Sequence, residues 1–174
     1  MTSTYQSPTS TNLPKASIFK LAEHVAKQLE FRPGGDLRPV VEKLDGRIRY
    51  IDWDAEISKT GSIVVEGDGS FVINLPYHTS PQRDRFTIAH ELGHLVVHFL
   101  WKRHQKEKIP NLQAARDGTG REEWEANWFA AAFLMPEAAF RTAYNKHNDI
   151  VRVAQIFDVS LAAAEVRAKG LGLA

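Results

Sequence analysis

The sequence predicts an α+β domain: a small three-stranded sheet packed beside one histidine-bearing helix, with further helices at both ends. Three observations carry this. Apolar residues recur at helical spacing near the N-terminus and again from Glu122 onward. Between them lie three short runs rich in β-branched residues, broken by glycine and proline. The segment from Phe86 to Phe99 is apolar on most sides, yet carries ionisable residues within it.

A chain of 174 residues, 43% hydrophobic and 25% charged, fits one folded domain with a real core. A net charge of +1 gives no bulk attraction to nucleic acid. With no cysteine, disulfides and thiolate metal sites are excluded, which is compatible with a cytoplasmic protein. No apolar run approaches the ~20 residues needed to span a bilayer, so no membrane partner is expected.

Residues 1–16 are rich in Ser, Thr and Pro and lack the apolar core of a signal peptide. They read as a disordered tail preceding a single domain over 17–174. Ser17 is placed to cap a helix through Ile18, Leu21, Val25 and Leu29, which Arg32-Pro33-Gly34-Gly35 ends. Asp36 and Pro39 open a short helix through Leu44, and Gly46 stops it. Arg47 to Trp53 alternates as a strand does. Ser62 to Glu66 and Ser70 to Leu75 flank Gly67-Asp68-Gly69 and predict a hairpin, with Pro76 closing the second strand.

Ser80-Pro81 is the expected start of the next helix, serine as cap and proline at the first helical position. Lys102 to Gly120 reads as a long loop, basic at first. Its lysines and arginine are a candidate contact for a nucleic-acid activator, although a solvated connector is the plainer reading. Helices are expected over Glu122 to Met135 and from Pro136 through Tyr144, and a helical pair over 149–174 has Ser160 as a cap. That pair superficially suggests a DNA-reading helix-turn-helix, but its basic residues are few and Leu161 to Ala164 looks buried.

The chemistry is concentrated in His90-Glu91-Leu92-Gly93-His94. Residues four apart share a helix face, so His90 and His94 can offer two imidazole nitrogens to one ion. Glu91 projects about 100° further round, where a base for a water polarised by that ion belongs. The alternative, a structural histidine pair, is disfavoured because polar groups on so apolar a helix need a partner. Gly93, in mid-helix, suggests close packing there. His98, eight residues from His90, is expected to point away. Zn²⁺ suits these ligands, and Mn²⁺ or Fe²⁺ would accept them too.

A catalytic site needs a third protein ligand and an open position. Glu122, Glu123 and Glu125 are the candidates. Glu123 shares its face with Asn127, Ala130 and Leu134, a polar pair followed by apolar contacts. We therefore expect Glu123 to bind the metal, and Asn127 to accept a hydrogen bond from a ligating histidine. Glu122 and Glu125 are expected merely to complement the helix dipole. The run Phe71-Val72-Ile73-Asn74-Leu75 either forms a core strand or offers an edge to an extended substrate, with Tyr77 beside it. Tyr77, His78, Arg141, Tyr144 and His147 are candidate donors to an oxyanion.

His90 to His94 together with Glu123-Trp124-Glu125-Ala126-Asn127-Trp128-Phe129-Ala130-Ala131-Ala132-Phe133-Leu134-Met135-Pro136 resembles the ImmA/IrrE family of metallo-endopeptidases. Phe157 to Arg167 is similar to that family's C-terminal helical segment. The resemblance runs roughly from Leu37 to Leu173. It implies a zincin-like fold and a zinc-dependent endopeptidase. It also implies a helix-turn-helix repressor as substrate, whose cleavage switches on stress, mobile-element or antiphage defence genes. The other class of function open to the sequence is a non-catalytic, metal-containing regulatory module that binds a repressor or DNA. The presence of Glu91 favours the enzyme, since a structural site has no use for a base.

Overall fold

The computed structural model describes residues 4–52, 61–115 and 118–174. Helix α1 (Lys15–Gln28) is followed by α2 (Arg38–Lys43) and strands β1 (Gly46–Ile51), β2 (Ile63–Val65) and β3 (Phe71–Pro76). Helix α3 (Pro81–Gly93) widens into a π-helical stretch (His94–Leu100) and continues as α4 (Trp101–His104). Strand β4 (Leu112–Ala114) precedes α5 (Arg121–Leu134), α6 (Glu137–His147), α7 (Ile150–Phe157) and α8 (Leu161–Gly170).

The sheet has four strands rather than the expected three, in the order β1-β3-β2-β4. β1 runs parallel to β3, and β2 runs antiparallel to both β3 and β4. The added strand, β4, falls in the stretch expected to be a loop. It is only three residues long, too short for alternation to announce it. The hairpin β2–β3 forms as expected, with Glu66 and Ser70 closing the turn around Gly69, whose φ of 95° suits only glycine. Trp53, expected to end β1, lies outside the described residues.

Several helix starts follow the sequence. Ser80 accepts from Arg83 N at 3.3 Å and Pro81 opens α3. Ser160 accepts from Ala163 N at 3.1 Å at the head of α8. α1 instead begins two residues before Ser17, with Pro14 preceding it and no side-chain cap. Its buried face is Ile18, Ala22 and Ala26, and it packs on α5.

Of the segment expected to be a disordered tail, the described residues from Thr4 onward are held against the domain. Gln6 pairs in parallel with the outer edge of β4: its N–H donates to Asn111 O at 3.0 Å, and its carbonyl accepts from Gln113 N at 2.9 Å. Tyr5 donates to Glu66 Oε1 at 2.6 Å, and Lys102 Nζ donates to Thr9 Oγ1 at 2.5 Å. Of the basic stretch, Lys102 alone is withdrawn from solvent, while Arg103, His104, Lys106 and Lys108 are exposed. Arg103 lies over the Phe99 ring while donating to Gly67 O. In the C-terminal pair, Arg167 is buried and donates to Met135 O, so it is not a DNA-reading side chain.

The core gathers where α3 crosses α5, with Phe99, Phe129, Phe133, Phe140 and Phe157 fully buried. The crossing is close because of Gly93. A Cβ there would lie 2.9 Å from Ala126 Cα, 3.0 Å from Ala126 O and 3.2 Å from Phe129 Cβ. Arg85 ties the same helix to the α7–α8 turn through Asp158 O at 2.9 Å and to the α1–α2 connection through Gly35 O at 2.6 Å.

Gly93→Ala is therefore expected to destabilise the protein. Alanine is the better helix former by up to ~1 kcal/mol. The contacts it would make are with backbone, however, and overpacking of this kind costs about 1–3 kcal/mol. Thermal unfolding should show a midpoint lowered by a few degrees; a raised midpoint would mean that the two helices separate freely at this point.

Candidate metal centre and active-site cleft

The crossing at Gly93 sets three side chains from two helices against one another. His90 and His94 sit one turn apart on α3, and Glu123 faces them from the first turn of α5. His90 Nε2 lies 3.0 Å from Glu123 Oε2, and His94 Nε2 lies 3.3 Å from Glu123 Oε1. The two imidazole Nε2 atoms are 3.1 Å apart. Of the described residues these three form a His-His-Glu group whose ligand atoms all lie within 4.8 Å.

The surrounding hydrogen bonds determine what these atoms can accept. Glu125 on α5 is buried completely, and its carboxylate takes His98 Nε2 at 3.0 Å. A carboxylate can only accept, so His98 carries its proton on Nε2 and presents a bare Nδ1. His94 Nδ1 stands 3.0 Å from that atom and must be its donor. His90 Nδ1 donates to Asn127 Oδ1 at 2.9 Å. In neutral imidazoles both Nε2 atoms are then lone pairs. With both rings neutral, two lone pairs and a carboxylate converge, and a cation held there takes the place of the protons that otherwise link each Nε2 to Glu123.

The protonation equilibria of His94 and Glu123 agree, while that of His90 favours a proton which a cation would displace. Burial dominates at His94 and, despite Glu123 opposing it, pushes its pKa down to about 4, with His90 and His98 adding to the effect. Burial also opposes charge on Glu123. The hydrogen bonds from His90 and His94 outweigh it and hold the carboxyl at about 2. At His90 burial works downward, but Glu123, Glu91 and Asn127 together raise the net value. Near neutral pH the centre thus offers a neutral His94 and an ionised Glu123, the forms that bind metal.

Glu91 is buried at 3% exposure and lines a cleft of about 200 Å³ together with His90, Glu123, Asn127, Ser62 and Ala115. Asn74 also lines it. Its Nδ2 donates to Gly61 O at 2.9 Å, and its Oδ1 accepts from Arg49 Nε at 3.0 Å.

Of the two readings of Phe71 to Leu75, the core strand is the one the structure has, and the substrate edge is not. β3 is an interior strand, paired with β1 along its length and with β2 over Phe71–Ile73. Phe71 and Ile73 are core side chains, Val72 is half-buried, and only Asn74 of this run reaches the cleft. Tyr77 is 62% exposed and stacks on Tyr50. None of Tyr77, His78, Arg141, Tyr144 and His147 is among the described residues lining the cleft. Arg141 instead bonds Glu137 and Leu171 O.

Two side chains of this network escaped the sequence reading. His98 was expected to turn away because, in a regular helix, eight residues at ~100° each leave it rotated by about 80° from His90. In the π-helical stretch each residue advances less, so the ~40° drift gained from His90 to His94 is taken back by His98. Glu125 was expected to serve the helix dipole from solvent. It is instead a hub that also accepts from Thr11 N at 2.9 Å, Thr11 Oγ1 at 3.0 Å, Asn12 N at 2.9 Å and Arg121 Nε at 3.1 Å. Burial alone would raise its pKa, but these donors, His98 foremost, hold it at about 2. The signal for His98 was its i+4 spacing from His94.

Comparison with known proteins places this geometry. The IrrE N-terminal-like domain of the Peptidase_M78 family matches residues 41–169. No curated protein sequence matches significantly. Among solved structures, a Mycobacterium tuberculosis transcriptional regulator superposes with a TM-score of 0.57 at 19% identity over 86% of this chain, which shows a shared fold. The chain spans 45% of that structure's length. Among the described residues no helix is long and apolar enough to cross a membrane.

The three glutamates should separate in their effects. Glu123→Ala is expected to abolish stable zinc retention on dialysis, and Glu122→Ala to leave it intact. Glu125→Ala should weaken zinc by roughly 10–100-fold through His98 and His94. It should also lower the unfolding free energy by roughly 3–5 kcal/mol, because it strands a buried imidazole and the donors of Thr11, Asn12 and Arg121. Metal content and denaturant titration of the three variants check this; full zinc occupancy in Glu123→Ala would overturn the assignment.

Proposed function

Because the chain belongs to the Peptidase_M78 family through its IrrE N-terminal-like domain, we propose that it is a zinc-dependent endopeptidase acting on a protein substrate in the cytoplasm. The observation that carries this reading is the convergence of two imidazole lone pairs and a carboxylate on one point, with a buried glutamate in the same cleft wall. His90, His94 and Glu123 would hold the zinc. Bound there, zinc supplies Lewis acidity toward a water and a peptide carbonyl.

The remaining steps belong to the chain. Glu91 takes a proton from the attacking water as its oxygen bonds to the carbonyl carbon. It returns that proton to the leaving nitrogen as the C–N bond breaks. The cleft limits the number of waters that compete for Glu91, and Asn127 keeps His90 in the tautomer that exposes Nε2. An extended substrate would pair not with β3 but just beyond the part of the β4 edge that Gln6 covers, toward Ala115. Gln113 already pairs with Gln6, and Ala115, two residues on, lines the cleft.

The substrate we favour is a helix-turn-helix repressor, cut to release stress, mobile-element or antiphage defence genes. Family membership supports a regulatory protease, and the M. tuberculosis relative in fold is named a transcriptional regulator. Incubation with candidate repressors, with and without chelator, followed by intact-mass analysis of the fragments tests it. One or few chelator-sensitive cuts are expected; degradation of unrelated proteins at similar rates would remove the dedicated repressor from the proposal.

Glu91→Gln should keep zinc and fold while slowing cleavage by roughly 10²–10⁴-fold, since an amide cannot take the proton. Undiminished cleavage by the pure variant would refute the role given to Glu91.

A further inference from the structure

A second concavity, of about 750 Å³, opens next to the cleft. Phe86 and Asn127 line both, so the two adjoin at the side chain that holds His90. Its walls come from α1, the start of α3, α5 and α8, and include Trp124, Trp128 and Val166. Trp124 is 62% exposed and Val166 is 73% exposed. Large apolar side chains left open beside a reaction site ordinarily mark a surface that another molecule covers.

The charge around this groove is one-sided. Its lining contains Lys15, Arg83 and Arg167 and no carboxylate. Arg167 is buried and held by Met135 O and Glu23. Lys15 and Arg83 are exposed, and neither forms an ion pair among the described residues. Lys15 Nζ lies 5.4 Å from the Phe19 ring centre and 5.8 Å from that of Trp128, which holds a cation at the apolar wall. A second copy is a poor occupant. A twofold contact through this face would bring the same cations toward each other with no acid to meet them.

We propose that this groove holds the substrate polypeptide on one side of the scissile bond and selects a segment with bulky apolar side chains flanked by acidic ones. The proposal rests on the endopeptidase reading of the cleft. A chain leaving the cleft past Asn127 enters the groove directly. Trp124, Trp128 and Val166 then receive its apolar residues, and Lys15 and Arg83 meet its carboxylates. These are specificity determinants: they touch substrate away from the bond that breaks, and their effect falls on KM rather than on kcat.

The test uses zinc-loaded Glu91→Gln protein, in which the groove and centre are complete and cleavage is slow. The probes are two fluorescein-labelled peptides of equal length. One carries Leu and Phe between Asp and Glu, and the other has Lys in place of the acids. Anisotropy should show the acidic peptide bound roughly tenfold more tightly. Trp124→Glu should weaken it by roughly tenfold, and Lys15→Glu with Arg83→Glu should reverse the preference. Neither change threatens the fold: Trp124 is at the surface, and a glutamate at Arg83 completes a capping box with Ser80. Zinc content and thermal midpoint, unchanged, confirm that. In protein with Glu91 intact, the same substitutions should raise KM for the acidic peptide. Equal binding of the two peptides, or groove variants indistinguishable from the parent, overturns the proposal, as does a dimer in which Trp124 is shielded. The two readings separate cleanly. Selective binding with no cleavage by the Glu91 protein overturns the peptidase and supports the groove. Cleavage indifferent to the groove variants keeps the peptidase and overturns the groove.

Discussion

A carboxylate with no solvent exposure must find donors for its lone pairs, and Glu125 finds them on three separate parts of the chain. Thr11 and Asn12 come from the N-terminal segment, Arg121 from the preceding turn of α5, and His98 from the π-helical stretch after α3. An ionised group so placed would be strongly unfavourable without them. With them, it becomes the fixed end of a chain running through His98 to His94. The direction in which His94 offers its lone pair is thus decided at Glu125, two hydrogen bonds away. The charge at the far end of the network and the geometry at its near end are one constraint.

How much of this could be read from residues alone depended on whether the local helix was regular. His90, Glu91 and His94 were legible because α3 is an ordinary α-helix up to Gly93, and Glu123 and Asn127 because α5 is ordinary throughout. The caps at Ser80 and Ser160 were legible for the same local reason. His98 was not, since the rotation per residue changes beneath it. β4 was not, because three residues carry no period. Nor was the ordering of Thr4 to Pro14. Its Ser, Thr and Pro composition is that of a solvated tail, and what orders it lies far off in sequence, at Glu125, Lys102 and the edge of β4.

The sheet decides between the two readings of the strand before α3. Phe71 and Ile73 are buried core residues of an interior strand, and that strand packs against α3. The strand that the sequence conceals, β4, ends one residue before Ala115, which lines the cleft beside Asn74 of β3. Its outer edge is covered at one end by Gln6, which leaves a short, interrupted edge rather than a long open one. Such covering blunts the tendency of free edges to pair with other chains.

The bound N-terminal segment also bears on how the molecule comes to be assembled. Thr11 and Glu125 are 114 positions apart, and Leu13 and Arg121 are 108 apart. Contacts of such sequence separation are slow to close, and a chain made from its N-terminus meets them only when most of it already exists. During synthesis the buried imidazole of His98 lacks its carboxylate until α5 has been made and packed. The hydrogen-bond chain that aligns His94 is therefore a late product of folding. The segment that precedes α1 is among the last to be seated.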